Sequence, residues 1–215
     1  MKLRKNKIIY SRKYFYWQKT YGNFSVLVDK EKFLPYLNKR SNILDFGCGG
    51  AFLLSSLPGK GKIGVEINQI ARKQAIRNGI AVLATAHKVK DNWADVIISN
   101  HVLEHCENPL SELKILKKKL KKNGKIVFFV PHERNTRYIA DDINHHLFTW
   151  SELNLGNLFK RAGYRIISVE TRKSAWPPYY QTIYRIFGHR IFQFIADIYG
   201  KYFSPFWEVQ IVATK

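Results

Sequence analysis

Cysteine is scarce in this 215-residue chain: Cys48 and Cys106 alone cannot build a disulfide framework, which fits a reducing compartment. Acidic side chains are also few, 16 against 36 Lys and Arg, leaving a formal net charge of +20. No apolar run approaches the ~20 residues that a helix crossing a bilayer needs. The basic start runs into Ser11, Arg12 and Lys13 with no apolar core segment, so no secretory signal is expected there. With 13 Gly and 7 Pro, collagen-like and low-complexity classes are excluded. What is present, 46% hydrophobic and 24% charged residues, suits one globular domain.

So basic a chain should meet something anionic. Residues 1–40 carry eleven basic side chains against Asp29 and Glu31, and a second block, Lys114 to Lys125, holds seven lysines. Leu110, Leu113, Leu116 and Leu120 recur at helical spacing there, which places those lysines on the outer face and C-terminal end of a helix. Residues 1–22 look like an added basic, aromatic arm, and 23–215 like the domain proper.

From residue 42 onward, short β-branched runs alternate with helix-period segments, the pattern of βα units on a parallel sheet. Strands are expected at Asn42 to Phe46, Lys62 to Ile67, Ile80 to Ala84, Asp95 to Ser99, Lys125 to Val130, Tyr164 to Glu170 and Glu208 to Thr214. Asn68 caps a helix that Gly79 ends, and Asn108 with Pro109 starts one that Asn123 and Gly124 close. Thr149 and Glu152 suggest a capping box for a helix ending at Gly163.

Ligands of such a sheet lie at the carboxyl ends of its strands, where strand order reverses. The first strand runs into Gly47-Cys48-Gly49-Gly50, a turn that admits close approach of a ligand to the backbone. Glu66 follows at the end of the next strand, where a carboxylate can accept from both ribose hydroxyls. Phe52 stands where a dinucleotide fingerprint needs its third glycine, which disfavours a pyrophosphate ligand and a dehydrogenase.

The ordered set Ile43–Gly50, Gly64–Glu66, Asp95–His105 with Asn108-Pro109, Leu120–Pro131, and Phe148–Leu153 with Ala162-Gly163-Tyr164 resembles the class I S-adenosylmethionine-dependent methyltransferases, particularly the group related to quinone-biosynthesis enzymes. The resemblance covers about residues 41–172 plus the final strand. It implies a Rossmann-like, doubly wound α/β fold with seven strands, mostly parallel, the last one inserted antiparallel beside the fifth. It implies S-adenosylmethionine as cofactor, with Asp45, Gly47, Cys48 and Gly49 around the methionine part, Glu66 and Ile67 at the ribose, and Thr85 and Asn100 completing the site. Where the family often carries an acidic residue near adenine, this chain has Ala84-Thr85-Ala86-His87. Asn100 and His101 would face the cofactor amine and the acceptor.

Asp141-Asp142-Ile143-Asn144-His145-His146 resembles the stretch that borders the acceptor pocket in relatives, and His145 is the candidate base, with His101 as a second catalytic candidate. No metal is expected, because Cys48, Cys106, His101 and His105 lack paired-ligand spacing. Residues 173–206 form an insertion with twelve aromatics between Trp176 and Trp207. Ile183, Phe187, Ile191, Phe194, Ile198 and Tyr202 share one face of an amphipathic helix that Pro178 starts and Gly200 ends. That helix packs on the domain's own core, lids the acceptor pocket, or rests with the basic arm on anionic lipid. The acceptor is then a small or lipid- or glycan-linked molecule, and the protein is cytoplasmic or peripheral to the inner face of a membrane. RNA is the alternative acceptor that the charge admits, although Asn100-His101-Val102-Leu103 does not match the Asn-Pro-Pro-Tyr type of base-modifying relatives. A non-catalytic cofactor-binding subunit or membrane-docked scaffold is the third reading.

Overall fold

The computed structural model describes residues 24–133, 137–140, 142, 144–173, 175–203 and 206–215; the proposed arm, Asp141 and Ile143 lie outside them. Seven strands form one sheet in the order β3-β2-β1-β4-β5-β7-β6. They are β1 Asn42–Phe46, β2 Gly61–Val65, β3 Ala81–Leu83, β4 Ala94–Asn100, β5 Leu120–Glu133, β6 Arg165–Arg172 and β7 Phe206–Thr214. β1 pairs parallel with β2 and β4, β4 with β5, and β7 runs antiparallel between β5 and β6. The expected seven-stranded, mostly parallel sheet with an antiparallel last strand is the observed one, and strand order reverses between β1 and β4.

Alternation along the strands divides the core between two faces. Leu44, Ile97, Ile126, Phe128 and Val130 point to one cluster, shared with Leu113 and Leu116 of α4 (Pro109–Lys119) and Leu155 and Phe159 of α5 (Glu152–Arg161). Ile43, Val96, Ile98, Val127 and Phe129 point to the other, covered by Phe33 of α1 (residues 24–33), Leu54 of α2 (Phe52–Ser56) and Ala75 of α3 (Gln69–Arg77). With both faces covered, the central strands read as continuous apolar runs.

Asn68 caps α3, its side chain accepting from Ile70 N, and Asn108 caps α4 from Ser111 N, as the sequence suggests. Three details differ. α4 ends at Lys119, not at Asn123, because fully buried Leu120 leaves the helix to pair with Ala94. Not every lysine of that block is solvated: buried Lys119 reaches Asp91 at 2.6 Å. The capping box of α5 is Ser151 with Asn154, not Thr149 with Glu152; Thr149 Oγ1 instead accepts from Glu133 N.

The insertion forms α6 (Tyr180–Phe203), and it is not one straight amphipathic helix. Gly188, at φ 71° and ψ −178°, breaks it into two segments. After the kink, Phe192, Ala196 and Gly200 face inward, and Phe192 and Ala196 pack with Phe24 and Val28 of α1. Of the predicted apolar stripe, Ile183 packs against this cluster, whereas Phe187, Ile191, Phe194, Ile198 and Tyr202 are exposed.

Candidate functional site

The carboxyl end of β1 turns through Gly47 and Gly49, both at positive φ (82° and 53°). A Cβ on Gly47 would lie 2.2 Å from Val102 Cγ2, so the turn lies against the loop after β4 without room for any side chain. Gly49 is the opposite case: a Cβ there would meet nothing within 4 Å, so the backbone is left open to a ligand. The turn is tied to β2, where Gly47 N and Cys48 N donate to Val65 O at 2.8 and 3.1 Å. Glu66 closes it from the other side, accepting from Gly49 N (2.9 Å) and Asn68 N (2.7 Å). Each of its oxygens keeps a second lone pair for another donor. Burial raises the Glu66 pKa, and the Asn68 and Gly49 amides pull against that rise.

A cleft of about 1210 Å³ opens at the switch point between β1 and β4. Its wall includes eight of the ten residues singled out from the sequence: Gly47, Gly49, Glu66, Ile67, Thr85, Asn100, His101 and His145. The other two lie behind the glycine turn. Asp45 is buried at the end of β1, its carboxyl raised to about 7 by burial and by the charge of Glu66. Cys48 packs its thiol against Gly64, where a Cβ would meet Sγ at 2.3 Å, and burial pushes that thiol upward.

At the far side of the cleft, His101 follows β4 in a left-handed conformation (φ 55°). Its Nε2 is 3.0 Å from Glu208 Oε1 on β7, and its Nδ1 is 3.7 Å from Glu104 Oε1. Lys32 of α1 donates to both Glu208 oxygens (2.7 and 2.9 Å) and pairs with Asp29 at 2.9 Å, while Asn100 Nδ2 donates to Asp29 at 3.2 Å. Burial works against charge on His101, but the hydrogen bond and charge of Glu208, with the charge of Glu104, outweigh it and hold His101 protonated above its ordinary range. Burial likewise opposes the charge on Glu208, yet Lys32 and His101 keep that carboxyl well below the usual range. His101 is thus engaged by carboxylates of β7 and of the loop after β4.

Glu104 is fully buried, with the rings of His105 and His146 at 3.9 and 4.0 Å from Oε1. These three residues each offer one ligand atom within 4.8 Å of the others and could share a cation, a grouping unlike the one weighed from the sequence. His105 is driven down to about 4 by burial and by His146, so it stays neutral, and His146 Nδ1 contacts Glu133 Oε1 at 2.9 Å. His145 is exposed, at φ 49°, its backbone N–H donating to Asp142 Oδ2 at 3.1 Å. Lys32, Glu104 and Glu208 escaped the sequence reading. Glu104 lay inside a quoted segment, where only its burial would have marked it, and Lys32 meets Glu208 across 176 positions of chain.

The pocket fits a nucleoside cofactor bearing an ammonium group. Asn100 Oδ1 is buried without a hydrogen-bond partner among the described residues and borders the cleft, and the open face of Gly49 lies on the same wall.

Comparison with known proteins agrees. A family model described as a methyltransferase domain matches residues 23–169. The ubiquinone biosynthesis O-methyltransferase of Pasteurella multocida is 30% identical over 123 residues, covering 45% of this chain and 50% of that protein. The chain thus spans about half the length of the curated relatives it matches. Among solved structures, a SAM-dependent methyltransferase from Archaeoglobus fulgidus aligns with TM-score 0.66 at 21% identity, over 94% of this chain and 99% of that one. A Haemonchus contortus phosphoethanolamine N-methyltransferase 2 in complex with S-adenosyl-L-methionine aligns with TM-score 0.60 at 13% identity, over 90% of this chain and 52% of that one. At these identities, the structures speak to the fold alone.

Proposed function

The chain belongs to the methyltransferase-domain family, the class I S-adenosylmethionine-dependent methyltransferases, and from that premise we propose that it methylates a small-molecule acceptor, free or linked to lipid or glycan. The observation that carries this reading is one cleft shared by the glycine turn, Glu66, Asn100 and His145. Its volume of about 1210 Å³ exceeds the ~300–1,000 Å³ of an ordinary ligand pocket, which leaves room for donor and acceptor together.

When bound, S-adenosylmethionine supplies an electrophilic methyl on a sulfonium centre. Glu66, already aimed by two backbone amides, would accept from the ribose hydroxyls. Gly49 would admit the methionine part against its bare backbone, and Asn100 Oδ1 would accept from the ammonium. Ile67 and Thr85, which also line the cleft, would border the adenosine. Asp45 and Cys48 would act from behind, by supporting the turn. An in-line displacement asks mainly for alignment, so these contacts, with the pinned loop, do most of the work. The relatives' name, an O-methyltransferase of ubiquinone biosynthesis, favours an oxygen nucleophile here too. His145, exposed on the cleft wall, would take its proton as general base. His101, which lines the cleft and is engaged by Glu208, would face the acceptor.

Incubation with methyl-labelled cofactor and cell extract, fractionated into lipid, small-molecule and RNA pools, tests the acceptor class. Label is expected in the lipid or small-molecule pool. Label confined to RNA, with binding that falls steeply in salt, would replace the reading by nucleic-acid methylation.

A further inference from the structure

α6 presents three distinct sides after its kink. At roughly 100° per residue, Phe192, Ala196 and Gly200 make the inward side, and Arg190, Gln193, Asp197 and Lys201 follow as the polar side. Ile191, Phe194, Ile198 and Tyr202 make the third, and it is apolar and open to solvent: they are 49%, 66%, 44% and 67% exposed. Phe187, on the turn before the kink, is 52% exposed as well. A soluble helix normally turns such a stripe toward the core, but here the core side is already taken by Phe192, Ala196 and Gly200. Gly200 shows how tightly, since a Cβ there would lie 2.3 Å from Lys173 O. The outward stripe is thus surplus to folding.

We propose that this stripe is an in-plane membrane-docking surface that rests on anionic lipid. Charge selects that occupant. Exposed Arg185, Arg190 and Lys201 stand on this helix against the single acidic Asp197, on a chain of net charge +20. Phospholipid headgroups complement that charge, whereas a second copy of the chain would bring like charge against like. Exposed aromatic side chains suit the headgroup boundary, and Tyr202 carries Lys201 Nζ 5.2 Å over its ring. No described helix is long and apolar enough to cross a membrane, so α6 lies along the surface. Through Phe24, α1 joins α6 to the cleft, since Asp29 of the same helix accepts from Asn100 on the cleft wall. Docking stands on the helix itself; the methyl-transfer reading adds only that a lipid-anchored acceptor would be presented near the cleft.

Flotation of the full chain with phosphatidylglycerol-containing vesicles, against pure phosphatidylcholine vesicles, tests it. Binding should require the anionic lipid and weaken as salt rises. The double substitution Phe194→Ser, Ile198→Ser should reduce partitioning about a hundredfold. Arg190→Gln or Lys201→Gln should each reduce it about fivefold. All of these positions are exposed, so the circular dichroism and thermal midpoint should stay those of the parent, and S-adenosylhomocysteine binding should be unchanged. Absence of vesicle binding, binding indifferent to the double substitution, or a sedimenting dimer that the same substitution dissociates would each overturn the proposal.

Discussion

Buried at the end of β1, Asp45 has its carboxyl raised to about 7, by the loss of water first and by the charge of Glu66 second. Its unfolded value is near 3.8, so between those limits the folded chain binds a proton that the unfolded chain has released. Stability therefore falls as pH rises through that window, by at most about 1.4 kcal/mol per pH unit, and the loss levels off above about pH 7. Asp45→Asn, which keeps the shape without the titration, should remove this component. Urea midpoints at pH 5 and pH 8 should lie closer together in the variant than in the parent; an equal spacing would mean that Asp45 ionises normally. Gly47, Gly49 and Glu66 could be found in the sequence because a nucleoside site needs a bare turn and a carboxylate at a set distance along one βαβ element. Lys32 and Glu208 could not, since nothing in local periodicity joins positions 176 apart.

Elements show the same division. The ends of α3 and the start of α4 were legible because Asn68, Gly79 and Asn108 satisfy orphan helix amides or adopt positive φ by their own chemistry. The last turn of α4 was not, because Leu120 continues the helical spacing while its burial is satisfied in the sheet. In α6 the 3.6-residue period identified an apolar stripe but could not tell its outside from its inside, since Ala196 and Gly200 look neutral in sequence and turn out to be the packing face. The kink is the local cause. Gly188 at φ 71° and ψ −178° occupies backbone space open essentially to glycine alone, and no atom would obstruct a Cβ there, so strain is the only penalty. Gly188→Ala should lower unfolding stability by about 1–3 kcal/mol, read from denaturant midpoints. No change would mean that α6 runs straight in solution.

At the scale of the molecule, two helical layers over a seven-stranded sheet leave a cleft of about 1210 Å³ where β1 and β4 diverge, and that is where eight of the ten sequence-selected residues meet. Alternating apolar runs announce such a sheet, and its topology then dictates the location of the site before any side chain is considered. The orientation of the insertion and the charge network behind His101 depend on packing between distant segments, so they emerge only from the assembled fold. The central claim is that the Glu66 wall of this cleft holds the adenosine of S-adenosylmethionine. Titration calorimetry with S-adenosylhomocysteine tests it on the parent chain and on Glu66→Ala, with circular dichroism confirming that both are folded. Saturable one-to-one binding by the parent, weakened about a hundredfold by the loss of charged hydrogen bonds in the variant, is the predicted result. A folded parent that gives no binding heat, or a variant that binds as tightly, would contradict the account.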